Sequence, residues 1–511
     1  MHLLRVQVPD FRGLKNIDIT FEKDFSPSIF PLGSQNGGGK STLLQLIFVL
    51  LHCSVDEDKK QFLQNMLEGF KICDGQEKRV LAIVDIWDGE KIVKIDFFSY
   101  NNDFSLKQIL ALESKKSNID EDYFDFSVPT YSTQLKSVKN KISNLEAQKN
   151  NLVKILRRLD MITEIEDNEE RRQRIKREII NIQQLGLIAG FPELVSVMRP
   201  SEILSIKDVK QLQHQITQRL ESSEINLRRY HKECKIIEEI WKKSIEYLQS
   251  ENMRHICNYS IDRSSNDKRY EALLCHLNNI DSTEIENFLT QISYKIFLAA
   301  PSTQIFLFLP PDSRKLLFRN SSNGNRNYYG ILEAARSELP GLFTYDFLAV
   351  ELLIESFKDA RDRDFREAIK TGSYGNSYQS LINDLNLLLG NKRINLNEDF
   401  SGVNFQLDNN GETIELYPED LSHGELKRLS IYIWLKSRNI KDAIVLMDEV
   451  EIAFHPDWQY QIISDLKEWA PSNQYILATH SYALCEALTP AHVKEIEPKL
   501  IKSESNITNE S

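Results

Sequence analysis

The run Ile444-Val445-Leu446-Met447-Asp448-Glu449 places four apolar residues directly before two acidic ones. Consecutive apolar residues of this kind predict a strand that is buried on both faces of a sheet. Such a strand would bring Asp448 to its carboxyl end, where a carboxylate can hold the water shell of a magnesium ion. Glu449 would then be placed to polarise an attacking water molecule. Solvated acidic residues also commonly follow strands, so the pattern needs support from other parts of the chain.

One supporting segment is Leu421-Ser422-His423-Gly424-Glu425, whose serine lies 26 residues before Asp448. It predicts the start of a helix, and a helix N-terminus with a serine hydroxyl suits the γ-phosphate of a nucleotide held by a second subunit. Ser422, Gly424 and Glu425 are therefore candidate nucleotide-binding residues. The same residues also fit a plain capping box, and the two roles can coexist.

A second supporting segment is Thr479-His480-Ser481, which follows a predicted strand from Tyr475 to Ala478. Its histidine lies 32 residues after Asp448. A lone histidine is more often structural than functional, but this position favours a role for His480 as a sensor that contacts the γ-phosphate.

Near the other end of the chain lies the glycine-rich segment Asn36-Gly37-Gly38-Gly39-Lys40-Ser41-Thr42. Consecutive glycines allow backbone N–H groups to approach an anion closely. Lys40 is expected to reach the β- and γ-phosphates of a nucleotide, and the Ser41 hydroxyl is expected to hold Mg²⁺. One feature departs from the usual pattern, which has a glycine six residues before the lysine. This chain has Ser34 there, with Gly33 one step earlier.

The segment between these motifs has a different pattern. Apolar residues recur in alternating steps of three and four at Leu135, Val138, Ile142, Leu145, Leu152, Leu156 and Leu159, and a less regular series runs from Val209 to Leu248. This periodicity is typical of a coiled-coil seam. We expect an antiparallel helical arm over residues 131–255; an ordinary helical subdomain is the alternative. After the arm, Thr303 to Leu309 is predicted to be a buried strand.

The composition narrows the class of protein. The 511 residues are 41% hydrophobic and 27% charged, with a formal net charge of −12, which argues against a surface that coats nucleic acid everywhere. A local basic patch, such as the one from Arg171 to Arg177, is still compatible with it. The six cysteines form no CxxC pair, so neither a zinc site nor a disulfide framework is expected. No apolar run approaches the roughly 18 residues of a membrane span, and the N-terminus has no signal layout, which predicts a cytoplasmic protein.

Together these motifs resemble those of the SMC and RecF-like ABC ATPases, in which a coiled-coil arm splits the ATPase head. Phe11-Arg12-Gly13-Leu14 and the segment from Asp448 to Pro456 resemble most the bacterial anti-phage branch. Within that branch, the segments Leu421 to Leu429 and Tyr475 to Ser481 are similar to PtuA, the ATPase of Septu systems and of retrons that use the same two-gene effector. The resemblance covers roughly residues 1–55 and 400–490.

The resemblance implies an α/β fold, an ABC-type P-loop head split by an inserted antiparallel helical arm. The head would comprise an N-terminal lobe over residues 1–130 and a C-terminal lobe over residues 256–500, with a disordered tail over residues 501–511. The cofactors would be ATP and Mg²⁺, and the activity would be ATP hydrolysis. The glutamine of the Q-loop is assigned to Gln134 in preference to Gln108.

The resemblance also implies partners. These are a second copy of the chain, in a homodimer or higher oligomer closed by the ATP sandwich, and an HNH nuclease of the PtuB type. In retron versions a reverse transcriptase and its multicopy single-stranded DNA join them. The sequence shows no nuclease site of its own and no membrane partner. Two alternatives stay open: a DNA-repair or DNA-organising ATPase that binds DNA directly, and a scaffold with degenerate activity, suggested by Ser34.

Overall fold

The computed structural model describes residues 1–33, 37–73, 75–76, 78–100, 131–166, 168–188, 206–261, 270–310, 314, 328–345, 350–409 and 412–496. These form two compact units. The first unit combines Met1–Lys115 with Leu248–Ser511, and the second is Lys116–Tyr247. The second unit is therefore inserted into the sequence of the first.

The strands are His2–Phe11 (β1), Leu14–Thr20 (β2), Ile29–Gly33 (β3), Lys78–Trp87 (β4), Ile92–Tyr100 (β5), Met253–Ser260 (β6), Tyr270–Asn278 (β7), Ile296–Ala300 (β8), Leu342–Thr344 (β9), Lys392–Leu396 (β10), Val403–Asn409 (β11), Glu412–Leu416 (β12), Ile444–Asp448 (β13), Gln474–Ala478 (β14) and Lys494–Glu495 (β15). The α-helices are Lys40–Cys53 (α1), Lys60–Leu67 (α2), Tyr131–Thr163 (α3), Asn168–Ile188 (α4), Ile206–Ser250 (α5), Ile285–Lys295 (α6), Tyr328–Glu338 (α7), Val350–Thr371 (α8), Ser377–Leu389 (α9), His423–Ser437 (α10), Pro456–Trp469 (α11) and Tyr482–Glu486 (α12).

The centre of the first unit is a six-stranded parallel sheet with the order β15-β3-β14-β13-β8-β9. Every residue of β13 and β14 is buried. Leu446 and Ile476 belong to one apolar cluster, whereas Val445 and Leu477 belong to another. Because neighbouring residues of a strand point to opposite faces, both faces of this sheet are covered.

A second six-stranded sheet, with the order β2-β1-β4-β5-β7-β6, is antiparallel throughout. The side chain of Gln474, which is buried at the start of β14, pairs with the backbone of Leu3 in β1. The Leu3 N–H donates to Gln474 Oε1 at 2.7 Å, and Gln474 Nε2 donates to the Leu3 carbonyl at 2.9 Å. A third, three-stranded sheet of β10, β11 and β12 precedes α10.

The second unit contains α3, α4 and most of α5. Near the start of α3, Val138 clusters with Cys234 and Ile237 near the end of α5. Further along α3, Ile155 clusters with Ile216, which lies near the start of α5. The two helices are therefore antiparallel, and the predicted seam faces the partner helix.

The predicted fold class, α/β with an inserted antiparallel helical segment, is confirmed. One expectation is wrong: Thr303 to Leu309 is not a strand, because residues 302–308 form a 3₁₀ helix after β8 ends at Ala300. In that turn the Gln304 N–H donates to the Pro301 carbonyl at 2.9 Å. The predicted tail, residues 501–511, lies outside the described residues. Within the described part of the chain, no helix has both the length and the apolar character that a membrane span requires.

Candidate nucleotide-binding site

The candidate site lies at the carboxyl ends of three adjacent parallel strands, β3, β14 and β13. The glycine-rich segment follows β3, His480 follows β14, and Asp448 ends β13. In open α/β sheets, ligands bind in the crevice outside the carboxyl ends of the strands. The topology thus brings together motifs from opposite ends of the chain.

The described part of the glycine-rich segment begins at Gly37 and leads directly into α1. Gly37 and Gly39 have φ angles of 82° and 89°, which side chains other than glycine rarely adopt. Gly39 is the N-cap of α1 and provides no side-chain cap, so the first N–H groups of the helix are left for a ligand. Ser34 and Asn36 lie outside the described residues, so the departure at Ser34 has no structural account.

Ser41 and Asp448 are in direct contact, although 407 positions separate them: the Ser41 hydroxyl donates to Asp448 Oδ1 at 3.0 Å. Asp448 is 1% exposed, and its Oδ2 has no hydrogen-bond partner among the described residues. Burial raises the pKa of Asp448 to about 7, while the hydrogen bond from Ser41 opposes that rise. A buried acceptor without a partner is costly, and a bound cation would remove the cost.

This pair fits one Mg²⁺ ion, which prefers hard oxygen ligands and keeps several waters when it binds with a nucleotide. The described residues contain no group of three or more His, Cys, Asp or Glu side chains arranged to hold a metal ion. Ser41 and Asp448 would therefore hold the ion together with phosphate oxygens and water, and not within a protein cage.

Lys40 lies at the first position of α1 and is buried. Burial lowers the pKa of Lys40, and the negative charges of Asp448, Glu451 and Glu449 oppose that change. The Lys40 ammonium lies 3.2 Å from Nε2 and 3.4 Å from Nδ1 of His480. The structure therefore brings Lys40 and His480 together, as expected if both contact the same phosphate group.

Glu449 begins a turn with unusual backbone geometry. Its φ angle is 52° and that of Ala453 is 73°, both in the left-handed region. The Glu449 N–H donates to the Ala478 carbonyl at 2.9 Å, which ties the turn to the end of β14. Non-glycine residues in this conformation tend to occur at functional sites.

Thr42, the last residue of the predicted glycine-rich segment, follows Ser41 in α1 and is half-buried.

The turn is held by Lys427 of α10, a residue that the sequence did not single out. The Lys427 ammonium donates to the carbonyls of Glu449 at 2.9 Å and Ile452 at 3.1 Å. It also lies 4.1 Å from the ring centroid of Tyr345. Nothing in the segment Leu426-Lys427-Arg428-Leu429 marks this lysine as buried, so no sequence signal identifies it.

Ser422 forms the capping box that the sequence allowed. Its side chain accepts from the Glu425 N–H at 3.3 Å, and the Glu425 carboxylate accepts from the Ser422 N–H at 2.9 Å. Burial alone would raise the pKa of Glu425, but hydrogen bonds from Lys392 and Ser422 lower it overall. Lys392 lies 2.5 Å from the Glu425 carboxylate.

Gly424 packs against the turn that follows β13. A Cβ atom at this position would lie 2.8 Å from the carbonyl oxygen of Ala453 and 3.0 Å from the ring of Trp458. Only glycine fits such a close approach without displacement. Gly424 thus packs on the turn after β13 and Glu425 contacts Ser422 and Lys392, while the contact of these three residues with a nucleotide of a second subunit stays a prediction.

Gln134 lies in α3, within the second unit, and its side chain is outside the described residues, as is Gln108. Another glutamine, Gln304, was not singled out by the sequence motifs. Gln304 follows β8, which pairs in parallel with β13, so it emerges at the sheet edge that carries Asp448. The Gln304 carbonyl accepts from the side chain of Gln45 in α1. The apolar run from Ile296 to Ala300 is the signal that could have identified this exit point.

Comparison with known families gives a match over residues 307–486 to the AAA_21 family, described as "AAA domain, putative AbiEii toxin, Type IV TA system". The matched segment includes Ser422, Asp448 and His480 but not the glycine-rich segment.

Two curated proteins match over shorter segments. The chain is 37% identical over 69 residues to the "Retron Vc95 probable ATPase" of Vibrio cholerae serotype O1 biovar El Tor, covering 12% of this chain and 13% of that protein. It is 28% identical over 117 residues to the DNA replication and repair protein RecF of Saccharophagus degradans, covering 22% of this chain and 31% of that protein. The chain thus matches less than a third of the length of either relative.

Among solved structures, the chain is similar to an Smc head domain with an extended coiled coil from Pyrococcus furiosus, at 12% identity and a TM-score of 0.28, covering 95% of this chain and 91% of that one. An Smc head domain from Pyrococcus yayanosii gives 13% identity and a TM-score of 0.28, covering 95% and 93%. Residues 307–486 thus match the family model of an ATPase domain.

Proposed function

We propose that this chain binds and hydrolyses ATP with Mg²⁺ at the carboxyl ends of β3, β13 and β14. The observation that carries the proposal is the 3.0 Å hydrogen bond between Ser41 and Asp448, with the second Asp448 oxygen buried and unpartnered among the described residues. These are the two side chains that a nucleotide-bound Mg²⁺ needs from the protein. The AAA_21 match supports the same activity.

In this mechanism Lys40 and the N–H groups at the start of α1 bind the β- and γ-phosphates. Ser41 and Asp448 would hold Mg²⁺, and the ion would supply positive charge that neutralises the phosphates. Glu449 orients a water molecule and accepts its proton as the oxygen attacks the γ-phosphorus. The bond from that phosphorus to the β–γ bridging oxygen breaks, and ADP and phosphate leave. His480 contacts the γ-phosphate and so distinguishes ATP from ADP.

We further propose that the ATPase works as a homodimer or higher oligomer. In it, Ser422 at the start of α10 faces the γ-phosphate bound by the second copy. The exposed N-terminus of α10, with a serine N-cap, supports this arrangement. Gln134 stays the proposed Q-loop residue, although the position of Gln304 makes it a rival for the same role.

The biological setting is proposed to be anti-phage defence. The nucleotide state would control a partner HNH nuclease of the PtuB type, within a Septu-like effector or a retron complex with a reverse transcriptase and multicopy single-stranded DNA. The 37% identity to a retron ATPase over 69 residues supports this setting. Expression with the neighbouring genes, followed by a pull-down in ATP, tests it: co-purification of an HNH protein is expected, and a bare dimer would contradict it.

A second candidate function, direct DNA binding in repair, is supported by the 28% identity to RecF over 117 residues. ATP-dependent DNA binding by the isolated protein would favour it, with affinity that falls steeply as salt increases. DNA binding that is absent at low salt would exclude it.

The test of the activity itself compares two variants. Lys40→Ala should abolish ATP binding, because it removes the cation that contacts the phosphates. Glu449→Gln should keep ATP binding but lower turnover by about 10²-fold or more, since it removes the general base, and should trap an ATP-bound dimer. Glu468→Gln, an exposed glutamate on α11, is the control and should behave as the wild type. Unchanged turnover in both Lys40→Ala and Glu449→Gln would overturn the mechanism.

A further inference from the structure

A buried carboxylate that the proposed mechanism does not use lies beside the candidate site. Glu451 belongs to the turn after β13 and is 7% exposed. A carboxylate is costly to bury unless it accepts hydrogen bonds. Its Oε1 accepts from the backbone N–H of His480 at 2.7 Å. Its Oε2 has no hydrogen-bond partner among the described residues.

The hydrogen bond joins the two segments that leave β13 and β14. Those strands pair in parallel, with Asp448 opposite Ala478. The Glu449 N–H already donates to the Ala478 carbonyl at 2.9 Å. Glu451 adds a second link, two residues further along each segment, at the point where His480 leaves the sheet. A short hydrogen bond to an ionised acceptor is stronger than one between neutral groups.

The position of His480 in turn determines what its ring contacts. The ring lies 3.2 Å from the Lys40 ammonium, although the His480 residue is exposed. Among the described residues the ring is not enclosed by the core, so the hydrogen bond from its backbone N–H to Glu451 helps to fix where this side chain starts. Glu451 also acts on Lys40 through space, since its negative charge raises the pKa of that lysine against the effect of burial.

We infer that Glu451 is a positioning residue for the proposed ATPase reaction, which fixes His480 against Lys40 and the γ-phosphate. The inference rests on the proposed function, because it assigns Glu451 a role in the same site. Glu451 touches neither nucleotide nor water in this role and acts through the backbone of His480. Its carboxylate supplies the hydrogen-bond acceptor for the His480 N–H. In this role the acceptor oxygen affects turnover more than the negative charge does.

Two substitutions separate the acceptor from the charge. Glu451→Gln removes the charge but keeps a side-chain oxygen that can accept from the His480 N–H. Glu451→Met has a similar length and no comparable acceptor. We expect turnover within about threefold of the wild type for Glu451→Gln and a loss of about ten- to hundredfold for Glu451→Met, because small displacements of a group that contacts the reacting phosphate lower rates by such factors.

The decisive measurement is a double-mutant cycle with His480→Ala, since a merely structural role would not depend on that side chain. If Glu451 acts through His480, adding Glu451→Met to His480→Ala should lower turnover by no more than about twofold. Losses that multiply in the double variant would overturn the inference. Glu451→Ala replaces Glu451→Met in the cycle if melting curves show that the latter does not fold, and Glu468→Gln is again the control.

Equilibrium binding of ATP separates the failure of this inference from the failure of the proposed function. If the wild type neither binds nor hydrolyses ATP, the proposed function fails first. If the wild type turns over ATP and Glu451→Met is as active as Glu451→Gln, only the role of Glu451 is wrong.

Discussion

The two units differ in whether they bury paired charged side chains. In the first unit, Arg428 and Asp465 form a bidentate ion pair whose side chains are 16% and 4% exposed. In the second unit, Lys149 and Glu224 form a pair of similar length whose side chains are 34% and 46% exposed. Among the described residues of the second unit, no charged side chain is buried. The same chemistry therefore has different consequences, because burial makes the loss of either partner costly whereas water screens an exposed pair.

The comparison is tested most strongly by Asp465→Ala. This change leaves the half-buried Arg428 guanidinium with a 3.5 Å hydrogen bond to the Leu388 carbonyl and with the nearby rings of Trp458 and Trp469. We expect the free energy of unfolding to fall by about 3–5 kcal/mol, the usual effect of breaking a buried ion pair. Urea denaturation measures it, with Glu468→Ala on the same helix as the exposed control. A fall below about 1 kcal/mol would mean that the pair is effectively solvated.

The second unit should instead be sensitive at its apolar seam. Ile155 is fully buried against residues such as Ile216 in the cluster between its helices. Ile155→Ala should lower the free energy of unfolding by about 2–5 kcal/mol, through lost burial and the cavity that remains. Ile225→Ala is the matched control, because Ile225 is 67% exposed. ATP binding should be unchanged in both, and a large loss of affinity would show that the seam matters beyond its own unit.

Burial of a titratable group in the first unit predicts a pH dependence. Burial lowers the pKa of His52 to about 4; Lys59 lowers it further, while the Ser293 carbonyl and Asp56 oppose the change. Because the unfolded chain takes up a proton near the ordinary pKa of about 6.5, it binds more protons than the folded protein between these two values. Stability is therefore lost as the pH falls from about 6.5 towards 4.

His52→Gln isolates this effect. Between pH 7.5 and 5.0 the wild type should lose about 2 kcal/mol more of its free energy of unfolding than the variant does. Chemical denaturation at the two pH values gives the difference. Equal losses of the free energy of unfolding in both proteins would show that His52 takes up its proton in the folded state as readily as in the unfolded chain.

The smallest effect is expected for the exposed pair itself. Lys149→Met should leave the free energy of unfolding within experimental error, because an exposed pair gains little over its solvated charges. Denaturation at low and high salt measures this. A clear loss at low salt that disappears at high salt would show that this pair contributes more than its exposure suggests.

The parts of the site that the sequence predicts are those fixed by strand ends. The contact between Ser41 and Asp448 follows from a glycine-rich turn after one buried strand and a carboxylate after another, once both strands lie parallel on either side of β14. The helical seam is predictable for a similar reason, since its period of three and four residues repeats along one helix. Each of these patterns lies within a short stretch of the chain and can therefore be recognised in the sequence.

The parts that the sequence does not predict depend on turns and distant contacts. Glu449 and Ala453 adopt left-handed conformations although neither is a glycine, so the sequence does not indicate them. These conformations place the backbone carbonyls to which Lys427 donates. The hydrogen bond from His480 to Glu451 joins residues on different turns. The run from Thr303 to Leu309 reads as a strand because apolar content alone does not separate a buried strand from a buried 3₁₀ helix.

The pairing of β3 with β14 and β15 has a consequence for how the chain folds during synthesis. β3 finds its neighbours only among residues 474–495, whereas α3 and α5 contact each other within residues 131–250. At about 5–20 residues per second, a ribosome takes roughly 20–90 seconds to make the chain between them. The helices of the second unit can therefore pair while β3 still waits for its partners. A protein with two halves of one sheet so far apart has to keep β3 from aggregating until residues 474–495 have been made.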